Sequence, residues 1–257
     1  MSALDLSQVD CAGRMLHYFP SLDSTMWEAA DRAGRGEPHG AVVIAEEQRA
    51  GRGRLGRVWL SPPGVNLYLS VILRPRLAAV DAPVLTLALG LAVAHAIRQT
   101  AGLECDLRWP NDVLLNGKKC CGLLTELSAE GDRVRHVIAG IGVNVNQAEM
   151  PSELAAIATS LRLAAGREHS REALLGEVLR QTDHYTALLV ERGAAAVVEL
   201  FSRASSYARG KRVIVLDGAA GMAGVTAGLT PAGTLLLRRD DGAIVPVVAG
   251  SVRPLTE

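Results

Sequence analysis

The sequence predicts an α+β fold in two parts: a larger domain of mixed helices and strands over residues 1–206, followed by a small antiparallel β-barrel over residues 207–257. Two observations support this prediction. In the larger part, apolar runs of strand length alternate with runs of helix length, whereas the last part holds only short apolar runs separated by turn sequences. A chain of 257 residues, 49% of them hydrophobic, can bury a full core without disulfides.

Strands are predicted in the larger part wherever a short apolar run lies between turn signals. The pair Asn116-Gly117 tolerates the positive φ angles of a tight hairpin turn, so the strands on either side of it should pair. Adjacent side chains on a strand alternate between faces, so only one of Lys118 and Lys119 can point into a shared site. The predicted strands are residues 16–19, 41–45, 66–73, 113–115, a strand from 118 onward, 134–139 and 141–146.

Helices are predicted between these strands and after them. Asp23 and Ser24 offer N-capping oxygens to a first helix, which carries Trp27, Ala30 and Ala33 on one face. Residues 84–97 are rich in Ala and Leu and apolar on all sides, which is typical of a buried helix. Two further helices are predicted at residues 171–191 and 194–205.

The barrel prediction depends on the spacing of turns after Tyr207, where we place the boundary. Clusters of two to four residues rich in Asp, Thr, Pro and Gly separate the apolar runs, and such clusters favour turns between antiparallel strands. The apolar runs are residues 213–216, 222–227, 234–237 and 243–248, and the turns are Asp217-Gly218, residues 230–233 and residues 240–242.

Composition excludes several classes of function. The 27 basic and 27 acidic side chains give a formal net charge of zero, which argues against broad attraction to nucleic acid or to an anionic membrane. Four cysteines without a C-x-x-C pair argue against zinc and against a disulfide framework. The longest apolar stretch, residues 82–97, is shorter than the roughly 20 residues that span a membrane. We therefore expect a cytoplasmic protein with no metal ligands of its own and no membrane partner.

A loop rich in arginine and glycine lies between two predicted strands. Residues 48–57 read Q-R-A-G-R-G-R-L-G-R, without an acidic residue. Glycines let the backbone approach a ligand closely, and arginines present ionised forks that match carboxylates and phosphates. The alternative is a solvated basic loop or an RGG-like nucleic-acid contact, which is disfavoured because the loop is not repeated and lies inside a patterned domain. The phosphate-loop pattern G-x-x-x-x-G-K-[ST] does not occur.

Two further clusters carry polar side chains in an apolar context. Residues 108–112 read R-W-P-N-D and are followed by Lys119 and Gly122. Residues 140–146 read G-I-G-V-N-V-N, so that Gly142, Asn144 and Asn146 share one face of a strand. Alone, the first cluster is a good turn sequence and the second supplies structural hydrogen bonds.

Together, in their order and spacing, these clusters resemble the motifs of biotin protein ligases, also called biotin-[acetyl-CoA-carboxylase] ligases. The resemblance covers residues 16–150 strongly and the C-terminal part weakly. It implies a class II synthetase-like (biotin/lipoate ligase) catalytic domain with a mixed central sheet flanked by helices, and an SH3-like C-terminal barrel. The matching motifs are D-S-T at 23–25, the loop at 48–57, W-L-S-P at 59–62, N-L-Y-L-S at 66–70, R-W-P-N-D at 108–112, K-x-x-G at 119–122 and G-I-G-V-N-V-N at 140–146.

The resemblance also implies an activity and a set of residues. Members use ATP and Mg²⁺ to convert biotin to biotinyl-5′-AMP, and they transfer the biotinyl group to one lysine of a biotin carboxyl carrier protein. The matching positions imply that Lys119 and Arg54 are catalytic, and we add Asp112 as the group that orients the acceptor amine or takes its proton. Biotin contacts are implied for Asp23, Ser24, Thr25, Gln48, Arg52, Gly53, Arg54 and Lys119, and nucleotide contacts for Arg52, Arg54, Arg57, Trp59 and Asn144.

Three features of this sequence differ from the commonest family pattern. Arg108 stands where lysine usually begins the R-W-P-N-D cluster, and Asp23 stands where some members have serine. Fewer than 20 residues precede the first strand predicted for the catalytic domain, too few for the N-terminal helix-turn-helix domain of the members that act as repressors, so no DNA partner is expected. Lipoate-protein ligase is the nearest alternative and a nucleic-acid-binding module a distant one; monomer and homodimer both stay open.

Overall fold

The larger part of the chain folds as one seven-stranded mixed sheet between helices. The computed structural model describes residues 3–11, 13–217 and 220–255. The strand order is β1-β2-β3-β7-β6-β5-β4, with β1 and β2 parallel and every other neighbouring pair antiparallel. The strands are β1 (Leu16–Phe19), β2 (Val42–Ala45), β3 (Leu67–Leu73), β4 (Asp106–Arg108), β5 (Asp112–Leu115), β6 (Lys118–Glu130) and β7 (Arg133–Val143).

Helices cover both faces of this sheet, and their burial follows their position. The short helix α1 packs on one face through a small apolar cluster, whereas the apolar helix α2 and the long helix α4 pack on the other face in the main core. A sheet whose two faces are both covered is apolar on both sides, which accounts for the continuous burial of β2 and β3. The helices are α1 (Thr25–Gly34), α2 (Ala82–Ala101), α3 (Leu161–Ala165) and α4 (Arg171–Ala204).

The last part of the chain forms a separate five-stranded antiparallel sheet in the order β11-β10-β9-β8-β12. The α+β prediction with a small C-terminal β unit is therefore confirmed. A strand after the four predicted runs pairs with β8 and was missed, because it is only four residues long and includes a proline. Gly218 of one predicted turn lies outside the described residues. The strands are β8 (Arg209–Asp217), β9 (Ala220–Leu229), β10 (Leu235–Arg238), β11 (Ile244–Val247) and β12 (Ser251–Pro254).

Most predicted elements are confirmed at close to the predicted positions. The hairpin at Asn116-Gly117 has φ angles of 51° and 76°, as its sequence predicts. The two predicted C-terminal helices form α4, which is interrupted at Gly193 with φ 76° and ψ 173°. Helix α2 is longer than predicted, at 20 residues. Residues 79–101 are long and apolar enough to cross a membrane, but 67% of their most apolar window is buried inside the protein, as suits a core helix.

Two predictions about local structure are wrong in whole or in part. Strands were predicted at 134–139 and 141–146, but β7 is one strand that ends at Val143, because Gly140 pairs in register with Ser70 on one side and Leu124 on the other. The face of α1 predicted to carry Trp27, Ala30 and Ala33 is only partly the buried one. Ala33 is buried, but Trp27 is 50% exposed, and the helix packs against the sheet through Met26, Ala29 and Ala33.

Candidate active site

A cleft opens above the middle of the large sheet, and three glycines form its floor. Gly122 of β6 is paired with Gly142 of β7, and Gly140 lies two residues earlier on β7. A Cβ atom at Gly140 would lie only 2.5 Å from the Met26 sulfur, and one at Gly142 only 2.7 Å from the indole of Trp59. No larger residue fits at these three positions. The backbone of the two strands is therefore not covered by side chains, and a flat group can lie directly on it.

The indole of Trp59 is the flat group that lies there in this structure. Its ring atoms come within 2.7 Å of a Cβ built at Gly142 and within 2.8 Å of one built at Gly122. The indole N–H is buried and has no hydrogen-bond partner among the described residues. With the ring in place, the free volume of the cleft is about 50 Å³, room for a few water molecules and too little for a nucleotide.

A cationic network forms one wall of the cleft, at the R-W-P-N-D cluster. The Asp112 carboxylate accepts from Lys119 Nζ at 2.6 Å on Oδ1, and from Arg108 Nη2 at 2.7 Å on Oδ2. Burial alone raises the pKa of Asp112, but Lys119 and Arg108 more than offset it and hold the pKa below its usual range. Lys119 lies 5.2 Å over the Trp59 ring, while Lys118 turns away and donates to the Ala155 carbonyl. The predicted alternation of the two lysines is confirmed.

The arginine and glycine loop covers the cleft and is attached to β6, to the turn between β4 and β5, and to the connection between β11 and β12. Arg52 Nη1 donates to Glu126 Oε1 on β6 at 2.7 Å, and its guanidinium lies 5.8 Å over the Trp27 ring. Arg54 Nη1 donates to Asn111 Oδ1 at 3.2 Å and to the carbonyl of Gly250, which precedes β12, at 3.3 Å. Burial lowers the pKa of Arg54, and the nearby Asp112 carboxylate opposes that effect. Two guanidinium groups therefore face the glycine floor.

The far end of the cleft holds neutral hydrogen-bonding groups. Gln48 Oε1 accepts from the Thr25 backbone N–H at 2.9 Å and from its hydroxyl at 3.1 Å. Ser24 occupies the N-cap position of α1 without a side-chain capping bond, so the predicted cap by Asp23 or Ser24 is wrong and Gln48 supplies it instead. The Ser24 hydroxyl is buried and makes no hydrogen bond to a described residue. Such an unsatisfied buried hydroxyl marks a place for a ligand or an ordered water.

The structure brings together most of the residues that the sequence singles out. Asp112 forms an ion pair with Lys119, which lines the cleft, and Gly53 lies in the loop that covers the cleft. Five predicted residues do not line the described cleft: Ser24 is buried, Asp23 pairs with Arg49 at 2.8 Å, Arg57 is exposed, Asp112 is bonded to Lys119, and Asn144 donates to the Thr159 carbonyl at 3.0 Å. The members that line it are Thr25, Gln48, Arg52, Gly53, Arg54, Trp59 and Lys119.

Sequence reasoning missed two residues at the cleft. Glu126 binds Arg52 across 74 positions in the chain, and no local pattern marks it. Met26 lines the cleft beside Gly140. The sequence indicates this contact only when the face of α1 that packs on the sheet is assigned correctly. The chemistry of the cleft is nevertheless clear. Neutral donors and acceptors at one end and three cations at the other suit a ligand with a neutral polar head and an anionic group.

Comparison with known proteins identifies the family. The Biotin/lipoate A/B protein ligase family matches residues 18–144. The bifunctional ligase/repressor BirA of Bacillus subtilis is 39% identical over 241 residues, which cover 91% of this chain and 73% of BirA. The chain belongs to the biotin protein ligase family. Two further members agree with this assignment along nearly their whole length.

The first of these is the biotin--[acetyl-CoA-carboxylase] ligase of Paracoccus denitrificans, 35% identical over 226 residues that cover 86% of this chain and 92% of that protein. The second is the solved structure of the Aquifex aeolicus biotin protein ligase in complex with biotin and ATP. It superposes with a TM-score of 0.79 at 32% identity, and the match covers 94% of this chain and 99% of that one. The family resemblance therefore extends through the C-terminal sheet.

Proposed function

We propose that this protein is a biotin-[acetyl-CoA-carboxylase] ligase: it activates biotin with ATP and transfers it to a lysine of a biotin carboxyl carrier protein. The observation that carries the proposal is the position of Lys119 and two loop arginines over a glycine floor whose other end is lined by Thr25 and Gln48. The neighbouring Ser24 hydroxyl is buried and has no hydrogen-bond partner among the described residues. The carboxylate of biotin would face the cations, and its ureido ring would meet Ser24, Thr25 and Gln48. Asp23 stays a weaker biotin contact, since it pairs with Arg49.

In the first half-reaction, a carboxylate oxygen of biotin attacks the α-phosphorus of ATP. A new C–O–P linkage forms, the bond between the α- and β-phosphates breaks, and pyrophosphate leaves. Two anions must approach, and at 4 Å their repulsion is about 4 kcal/mol at an effective dielectric of 20. Lys119, Arg52 and Arg54 provide the positive charge that stabilises this approach. For Arg52 this requires exchange of the exposed Glu126 carboxylate for the substrate anion.

In the second half-reaction, the neutral amine of the acceptor lysine attacks the acyl carbon. An amide forms, AMP leaves with the bonding electrons, and the amine loses a proton. Both oxygens of Asp112 already hold cations, so we propose that it orients Lys119 and the acceptor amine, with proton abstraction as the secondary role. The glycine-rich loop excludes water from the anhydride while it is bound.

Magnesium is treated as part of the MgATP substrate. Among the described residues, no three acidic, histidine or cysteine side chains converge as a metal site. The ion would be held by the phosphates, as is usual for Mg²⁺ with nucleotides. Of the implied nucleotide contacts, Arg52, Arg54 and Trp59 line the cleft, whereas Arg57 and Asn144 do not and remain predictions.

We also propose a cytoplasmic location, because all four cysteines are free thiols. The acceptor is proposed to be the carboxyl carrier protein of an acetyl-CoA or related carboxylase. A monomer and a homodimer both fit the structure.

Ligand-dependent thermal unfolding tests the choice of substrate. Biotin should raise the melting temperature, and biotin with MgATP should raise it further, because a ligand at about a hundred times its Kd stabilises the folded state by about 2.7 kcal/mol. Lipoate and a single-stranded oligonucleotide serve as controls and should leave the melting temperature unchanged. Stabilisation by lipoate and not by biotin would overturn the proposal in favour of a lipoate ligase.

We propose that Trp59 leaves the glycine floor when ligand binds, since the indole lies directly on Gly142 and Gly122 and the cleft has only about 50 Å³ free with the ring in place. We therefore expect biotin with ATP to change the tryptophan emission of the protein. Trp27 is half exposed and Trp109 donates to the Gly233 carbonyl at 2.9 Å, so neither needs to move. Titration of Trp59→Phe should show a much smaller emission change, whereas Trp27→Phe should keep it. A full change in Trp59→Phe would show that the indole stays in place.

A further inference from the structure

Arg108 contacts Asp112, and Asp112 in turn contacts Lys119, which lines the cleft. It ends β4 and is paired in register with Asp112, which begins β5. Its Nε and Nη2 lie 3.2 and 2.7 Å from Oδ2 of the carboxylate, and the two side chains are mostly buried, at 14% and 16% exposure. The residues that line the cleft do not include Arg108. It is therefore placed to act on Asp112 and not on a bound ligand.

The guanidinium of Arg108 is also supported on its other side. It lies 5.8 Å over the ring of Tyr207, and that ring is 5% exposed at the point where the chain passes from α4 to β8. Lys211 Nζ lies 5.3 Å from the centroid of the same ring. A planar guanidinium can stack on an aromatic ring while it donates in its own plane, and an ammonium cannot combine these contacts in the same way. Arg108 is thus fixed between an aromatic face and a carboxylate.

The two carboxylate oxygens of Asp112 accept hydrogen bonds from different residues. Oδ2 takes both donors of Arg108, which leaves Oδ1 to accept from Lys119 Nζ at 2.6 Å. We infer that Arg108 is a positioning residue: it fixes the Asp112 carboxylate so that Oδ1 holds the Lys119 ammonium over the glycine floor. Without Arg108, the carboxylate is free to turn its second oxygen to Lys119, and the ammonium moves away from the reacting atoms. This inference rests on the proposed function, which assigns the charge stabilisation to Lys119.

The same arrangement predicts a pH effect. Four groups act electrostatically with Asp112: Arg108 from β4, Lys119 and the Cys121 thiol from β6, and Arg54 from the loop. Burial raises the pKa of Asp112, and Lys119 and then Arg108 lower it below its ordinary value of 3.8. Removal of Arg108 leaves burial opposed by fewer cations, so the pKa of Asp112 rises. Loss of activity on acidification should then begin at a higher pH than in the unaltered protein.

Biotin-dependent exchange of pyrophosphate into ATP, measured against pH, tests this inference. Arg108→Met should lower kcat by about ten- to a hundredfold, the size expected for a misplaced catalytic group, with a smaller change in the KM for biotin. Its acidic limb should move to higher pH, and Arg108→Lys should restore most of both properties. Lys211→Met removes the other cation on Tyr207 without touching Asp112, and it should behave as the unaltered protein does.

Each outcome of this experiment decides one question. An unaltered protein without biotin-dependent exchange would overturn the proposed function itself. An active protein with an Arg108→Met variant of equal kcat and equal pH profile would overturn only the positioning role. If Arg108→Lys is no better than Arg108→Met, then charge at this position is irrelevant and the inference fails. Thermal unfolding accompanies each assay, and Arg108→Gln replaces the methionine variant if that variant does not fold.

Discussion

Replacement of Lys119 by alanine is expected to lower the rate of pyrophosphate formation from biotin and ATP by a factor of about a hundred or more. Lys119 Nζ is held at 2.6 Å by Asp112, and it lies 5.2 Å from the Trp59 ring over the glycine floor. In the transition state, this charge faces an attacking carboxylate and a phosphate whose negative charge is shifting toward pyrophosphate. Without the ammonium, the two anions meet with only the loop arginines to stabilise them.

The neighbouring lysine provides a matched control for this prediction. Lys118 has the same side chain on the opposite face of β6, where it donates to the Ala155 carbonyl at 2.7 Å. Lys118→Ala should therefore retain a rate close to that of the unaltered protein. Equal rates for Lys119→Ala and the unaltered protein would remove Lys119 from the mechanism. Equal losses for the two lysine variants would point to a general effect on folding or net charge.

The second large effect is expected for stability, from Arg171→Met. Arg171 and Glu46 form an ion pair at 2.7 Å with side-chain exposures of 6% and 8%. The Glu46 carboxylate also accepts from the Leu4 backbone N–H at 2.6 Å and from the Tyr18 hydroxyl at 3.1 Å. Loss of one partner leaves the other charge buried, which costs about 3–5 kcal/mol in the free energy of unfolding. Urea unfolding at neutral pH measures this change.

The pH dependence of this loss follows from the pKa of Glu46. Burial raises that pKa, but the hydrogen bonds and charge of Arg171 bring it below the ordinary value of 4.5. The pair therefore stabilises the protein above that value, and the contribution disappears as the pH falls through the lower folded-state pKa. In Arg171→Met the pKa of Glu46 rises, because burial is then opposed only by the hydrogen bonds from Leu4 and Tyr18, so the deficit in stability should shrink on acidification. The double variant Glu46→Leu/Arg171→Met should be less destabilised at neutral pH than Arg171→Met alone, because no charge is left buried. A larger loss in the double variant would contradict this explanation.

Short-range pattern was sufficient to predict most of the fold. Apolar runs predicted the strands, and the Asn116-Gly117 pair predicted the hairpin, because each of these depends on neighbouring residues alone. The division predicted between helices 171–191 and 194–205 coincides with the interruption of α4 at Gly193. The errors arise where a distant residue decides the local structure. Gln48, not Ser24, caps α1, and two flanking strands hold Gly140 within β7.

In the candidate site, too, features set by neighbouring residues were predictable and features set by distant residues were not. The motifs predicted Lys119 and the loop arginines, because the relevant residue types cluster within a few positions of the chain. The contacts that set their geometry were not predictable, since Glu126 meets Arg52 and Gly250 meets Arg54 across 74 and 196 positions. Likewise, the sequence does not indicate that Arg171 lies on Glu46, 125 positions away. Such pairs depend on the packing of complete elements.

The central claim is transfer of biotin to a lysine through an adenylate, and one measurement tests it most directly. The protein is incubated with biotin, MgATP and a biotin carboxyl carrier domain, and the intact mass of that domain is determined. We expect the mass to increase by one biotinyl group only when both biotin and ATP are present. A domain whose acceptor lysine is replaced by arginine should stay unmodified. An unmodified carrier domain in the complete reaction, or modification by lipoate in place of biotin, would contradict the proposed function.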